Sequence, residues 1–125
     1  MKIYTSNFAS LAKIKKMNLT PVGIAIFSPR YYTGKNYKKL APRKEMIHME
    51  EVKYIPLFDK ILNNLDISMV MQELNDISNN CDIVLLCYEK PGEFCHRRLV
   101  AKWIEENTKI KVTELIFTKK TPTLF

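Results

Sequence analysis

No hydrophobic run in this 125-residue chain approaches the ~18 residues that cross a bilayer, which excludes a membrane-spanning helix. Cysteine is scarce: three residues, an odd count, beside ample aliphatic side chains argue against a secreted scaffold stapled by disulfides. No signal peptide is expected either, because the amino terminus enters a strand-like pattern at once. The expected protein is therefore soluble, intracellular and cytoplasmic, with no membrane partner. No repeat, low-complexity segment or composition shift divides the chain, so residues 1–125 read as one domain, with 118–125 as a tail in which Leu124 and Phe125 are the only docking candidates. Acid is absent from Ser28 to Lys44, where every charge is positive.

What is present is a modest excess of cations, 20 Lys and Arg against 13 Asp and Glu, for a formal charge of +7. Such a balance favours an anionic partner, either nucleic acid or a nucleotide-like or other phosphorylated small molecule. The length suffices to bury a core but is small for a full dinucleotide-binding unit.

Lys2 to Thr5 reads as a first strand, and Ser6 or Asn7 as the cap of a helix carrying Phe8, Leu11, Ala12 and Ile14. Pro21 ends that connection, and Val22 to Phe27 is a second apolar strand, giving a βαβ unit. Arg30 to Lys44 is a long loop of interleaved Tyr and Lys/Arg, with a helical turn expected around Tyr37 to Leu40. Apolar spacing predicts a helix over Glu50 to Leu65, which Pro56 must kink or split. A second helix carries Val70, Met71, Leu74 and Ile77, begins at Asp66 or Ser68 and ends at Asn79-Asn80. Asp82 to Cys87 suits a strand buried on both faces. Pro91-Gly92 breaks it; Leu99, Val100, Trp103 and Ile104 then recur at helical spacing, and Lys111 to Phe117 alternates as an edge strand. Together these predict a three-layer α/β domain, Rossmann-like or flavodoxin-like, with a mostly parallel sheet of about four strands flanked by helices.

Chemistry concentrates between Leu85 and Arg98, where a buried strand ends and a helix restarts on a thiol, an imidazole and two guanidiniums. That is the ligand position of an open α/β sheet, and the first helical turn offers unpaired N–H groups to an anion. The pattern Leu85-x-Cys87-x-Glu89, a short loop, then Cys95-His96-Arg97 resembles the family catalogued as domain of unknown function 488. Ile3-Tyr4-Thr5 resembles its opening strand and Ser28-Pro29-Arg30 its Pro-Arg loop, so the likeness covers most of the chain in three blocks. The family's second strand often ends Asp-Val-Arg, whereas Gly23 to Phe27 is uncharged here. The resemblance implies a fold and the position of a site; it also selects Arg97 over Arg98 as the inward arginine.

From the residues themselves, Cys95 beside the helix start and Arg97 is a candidate low-pKa thiolate, with ordinary packing of Cys87 and Cys95 as the alternative. A phosphatase-like loop is excluded, because six positions after Cys87 and Cys95 stand Glu93 and Ala101 where an arginine is required. Zinc on Cys87, Cys95 and His96, with His48 as a fourth ligand, is disfavoured by the spacing and by the ~100° divergence of adjacent helical residues. A Cys87–Cys95 disulfide requires the loop to fold back. Neither a metal nor a cofactor is expected. The expected site is thus Glu89, Cys95 and His96 as catalytic groups, with Arg30, Tyr31, Cys87 and Arg97 binding an anionic ligand. Arg97 serves either as the phosphate clamp or as an ion pair with Glu89. The expected activity is nucleotide or nucleic-acid processing; the alternative is a non-catalytic module that binds nucleic acid through Lys35, Lys38, Lys39 and Arg43.

Overall fold

A computed structural model describes residues 1–89 and 94–117, so the expected tail 118–125 and the Pro91-Gly92 break lie outside the described residues. Five strands, β1 (Ile3–Asn7), β2 (Thr20–Gly23), β3 (Lys35–Asn36), β4 (Ile83–Cys87) and β5 (Val112–Glu114), form one sheet. Their order is β3-β2-β4-β1-β5, and every pairing is parallel. β4 is central and all five of its residues are buried, as a strand covered on both faces must be. Its side chains alternate: Ile83 and Leu85 join the core under α2 (Glu51–Asn63), α3 (Ile67–Ser78) and α4 (His96–Asn107). Val84 and Leu86 join the opposite core with Phe8, Ile14 and Tyr32, beneath α1 (Leu11–Lys15). The result is the three-layer α/β arrangement that the sequence predicts.

The departures are local and have physical causes. The sheet has a fifth strand because Lys35 and Asn36, inside the expected loop, pair with Val22 and Gly23. A Cβ on Gly23 would meet the tip of the Asn36 side chain, which would have to turn aside, and would press on the Phe8 ring, so glycine eases this close approach. Pro21 lies within β2, where an end to the preceding connection was expected. Thr20 and Ile24 donate to Asp82 and Leu86 of the β4 side, so the N–H that proline lacks would face the other side, before β3 begins. β2 itself stops at Gly23, and Ala25 to Phe27 bend away from it. The chain also crosses β4 between β1 and β2, which are therefore not neighbours.

Phe8 to Ser10 forms a 3₁₀ turn before a helix of only five residues, and Asn18 at φ 60° turns the chain back. α2 runs unbroken through Pro56; the carbonyl that Pro56 cannot pair belongs to Val52, a residue 72% exposed. The 3₁₀ turn at Lys38–Leu40 and the capping of α3 by Asp66, which accepts from Ser68 and Met69, match expectation. So does the left-handed Asn79 that ends α3. No helix among the described residues is long and apolar enough to cross a membrane.

Candidate active site

The last ladder bond between β2 and β4 runs from Ile24 N to Leu86 O, 2.9 Å. Beyond it the two chains part, Ala25–Phe27 on one side and Tyr88–Glu89 on the other. Between them lies a cavity of about 460 Å³. Its walls are apolar and aromatic, with Phe27, Ile47, Tyr54, Tyr88 and Phe94, while Cys87, Glu89, Cys95 and His96 supply its polar end. Glu89 is the one charged group in the lining among the described residues. It acts together with burial to push the Tyr54 phenol well above its ordinary value, burial being the larger cause.

Cys87 and Cys95 are joined by a disulfide, their Cα atoms 7.5 Å apart. The chain does fold back, and it brings the start of α4 over the end of β4. Cys95 is the residue before the helix, extended at φ −150°, ψ 143°, and so escapes the helical divergence that spacing alone predicts between Cys95 and His96. His96 is buried; its Nε2 contacts Ile24 O at 2.7 Å, which places the proton on Nε2 and leaves Nδ1 bare, 3.8 Å from Cys95 Sγ. Burial pushes its pKa down to about 4, the bond to Ile24 opposing and the Arg97 charge adding, so the ring is neutral near pH 7.

Of the two roles that the sequence leaves open for Arg97, anion clamp or ion pair with Glu89, the geometry shows an ion pair, with a different carboxylate. Arg97 is 1% exposed and does not line the cavity. Its partner is the Glu114 carboxylate, not that of Glu89: Nη2 donates at 2.8 Å and Nε at 3.1 and 3.3 Å. Nη1 turns the other way, to Glu89 O at 2.8 Å and Cys87 Sγ at 3.0 Å. Burial alone would raise the Glu114 pKa, but hydrogen bonds from Arg97 and Thr5, with the charges of Arg97 and Arg98, carry it below the ordinary carboxylate value. Glu114 and Thr5, whose Oγ1 donates to it at 2.5 Å, were missed at sequence level. The available signal was that Glu114 is the one acid in the final strand.

The remaining candidates are dispersed. Arg30 is exposed and Tyr31 is 55% exposed; neither lines the cavity. Lys38 donates to the carbonyls of Ala25 and Ile26, and both Lys38 and Lys44 approach the Phe27 ring at the cavity rim, 6.0 and 5.9 Å from its centroid. Lys39 is paired with Glu73 at 2.9 Å, and Tyr37 donates to the same carboxylate at 2.6 Å. Lys35 and Arg43 are exposed. Cys87 Sγ, Cys95 Sγ and a ring nitrogen of His96 all fall within 4.8 Å of one another, a donor set able to hold a metal once the disulfide is reduced.

A family model described as "Active DUF488-N3 subclade", DUF488-N3a, matches residues 9–108. No curated protein and no solved structure matches the chain.

Proposed function

Since the chain belongs to the DUF488 family, we propose that it is an enzyme acting on a nucleotide or a nucleic-acid-derived group bound in the cavity between β2 and β4. The carrying observation is that one end of an aromatic-walled cavity holds a sulfur, Cys87 Sγ, with a guanidinium N–H at 3.0 Å and the Glu89 carboxylate at 3.7 Å. In the reduced protein the buried guanidinium favours Cys87 as a thiolate, and Glu89 is placed to take and return a proton beside it. Phe27, Tyr88 and Phe94 offer flat faces to a base. Phosphates fit at the rim, where Lys38 and Lys44 stand, because among the described residues the lining itself carries only a carboxylate as a charged group. That the matched subclade is described as active supports the enzymatic reading.

Thermal stabilisation by a panel of nucleotides, nucleotide sugars, ADP-ribose, inorganic phosphate and short oligonucleotides tests this, with wild type beside Phe27→Ala and Glu89→Gln. Phe27 is 59% exposed, so its removal spares the core. Stacking lost at about 1–3 kcal/mol per base weakens a nucleotide about fivefold or more in Phe27→Ala, while Glu89→Gln still binds but does not turn over. Absence of any nucleotide-induced shift, or an undiminished shift in Phe27→Ala, overturns the reading. The rival is a non-catalytic nucleic-acid module on the exposed residues Arg30, Tyr31, Lys35 and Arg43. It predicts stabilisation by oligonucleotides alone, weakened by salt and unaffected by Phe27→Ala.

A further inference from the structure

We propose that in the reduced protein Cys87, Cys95 and His96 hold a zinc ion whose fourth position opens into the cavity. Two thiolates and an imidazole are the donors that zinc selects, and around one tetrahedral ion such donors stand about 3.3–3.8 Å apart. Cys95 Sγ and His96 Nδ1 are already 3.8 Å apart, and all three donor atoms lie within 4.8 Å of one another. The Cα atoms of Cys87 and Cys95 are 7.5 Å apart, so once the S–S bond is reduced the two sulfurs can turn apart to flank an ion.

The surroundings of the donors point the same way. The contact of Nε2 with Ile24 O, 2.7 Å, fixes the tautomer that leaves Nδ1 free to ligate, the outer-shell bond that metal-binding histidines ordinarily make. Arg97 Nη1, 3.0 Å from Cys87 Sγ, offsets the negative charge of two thiolates, and Glu114 anchors that guanidinium from behind. Because Cys95 precedes α4 in an extended conformation, the two adjacent donors converge. His48, the fourth ligand considered from sequence, is exposed and lines no part of the cavity, so among the described residues the protein supplies three ligands. All three line the cavity with Glu89, and three protein ligands with one open position form the arrangement that activates a bound water or polarises a substrate. Only this use of the fourth position rests on the cavity being a substrate site; binding of the ion does not. The disulfide and the zinc form exclude each other. Hydrogen peroxide takes two electrons from the two thiolates and, with two protons, leaves as two waters, closing the S–S bond and releasing the ion.

The experiment takes the full chain reduced under anaerobic conditions, equilibrates it with zinc and measures bound metal after desalting. Wild type and Cys81→Ser should retain one equivalent, Cys95→Ser and His96→Ala should lose it, and peroxide should release it from wild type. Cobalt substituted for zinc in wild type should show a thiolate charge-transfer band and tetrahedral d–d intensities, a readout that needs no variant to fold. Failure of reduced, folded wild type to retain zinc or to give that cobalt spectrum overturns the proposal, as does retention by both Cys95→Ser and His96→Ala. Nucleotide stabilisation without zinc retention sinks this inference alone; zinc retention without nucleotide stabilisation sinks the substrate reading alone.

Discussion

Two ion pairs answer to two parts of the sequence that resemble ligand-binding machinery, and they differ in what surrounds them. Arg97 and Glu114 meet with side chains 1% and 22% exposed, whereas Lys39 and Glu73 meet with side chains 48% and 37% exposed. In both, a cation that charge pattern assigns to a ligand is occupied by a carboxylate of the chain itself. At the buried pair that occupation is structural, because a guanidinium without its partner in a dry interior has no water to turn to. At the surface pair water competes at every moment, and the lysine remains available to a stronger anion. Burial, more than charge, separates a residue that builds a site from one that can bind at it.

The largest effect expected follows from leaving the buried guanidinium alone. Glu114→Ala should cost about 3–5 kcal/mol in denaturant unfolding, while Arg97→Met with Glu114→Leu should restore most of that loss. A double variant as unstable as the single one would show that Arg97 matters through its bonds to Cys87 and Glu89, not through the pair. Next comes acid. Unfolded histidine takes a proton near pH 6.5 and folded His96 only at about 4, so between those values lowering the pH protonates the unfolded chain alone. Stability should fall across that window by on the order of 3 kcal/mol, and Glu114, held below its ordinary value, should add a further loss as pH drops through the carboxylate range. Unfolding titrations of wild type and His96→Phe at several pH values check this. A slope between pH 6.5 and 4 that survives in His96→Phe would exonerate the imidazole.

The same contrast explains how much was legible in the sequence. Ile83 to Cys87 could be read as a buried central strand because burial on both faces leaves no other way to write five apolar residues between turn signals, and Asp66 announced its helix because a cap is a local bond. β3 was not legible: Lys35 and Asn36 are polar and exposed, and their partners Val22 and Gly23 lie in another strand, more than ten residues earlier. At the site, the motif located Cys87, Glu89, Cys95 and His96 around one cavity. It could not show that Arg97 turns toward β5, because Glu114 lies 17 residues on and joins only when β5 pairs with β1. Convergence of Cys95 with His96 was hidden for a related reason: the divergence rule holds inside a helix, and Cys95 is one residue outside it.

An intermediate effect sharpens the comparison without touching either pair. Asp66→Ala removes the acceptor of Ser68 N and Met69 N at the start of α3 and should cost about 1 kcal/mol, seen as a lower unfolding midpoint with an unchanged denaturant slope.

The smallest stability effect belongs to the surface pair, and its value lies in what it frees. Glu73→Gln removes the carboxylate that holds both Lys39 and the Tyr37 hydroxyl, with little change expected in a thermal melt because that carboxylate is already solvated. The released Lys39 adds one cation to a stretch that carries no acid from Ser28 to Lys44. If that stretch meets phosphates, anisotropy of a labelled single-stranded oligonucleotide should report tighter binding by Glu73→Gln than by wild type, with a steeper salt dependence by about one counterion. Equal affinity and equal slope would mean that Lys39 never reaches a phosphate, and that any phosphate contact made by this stretch comes from its other cations.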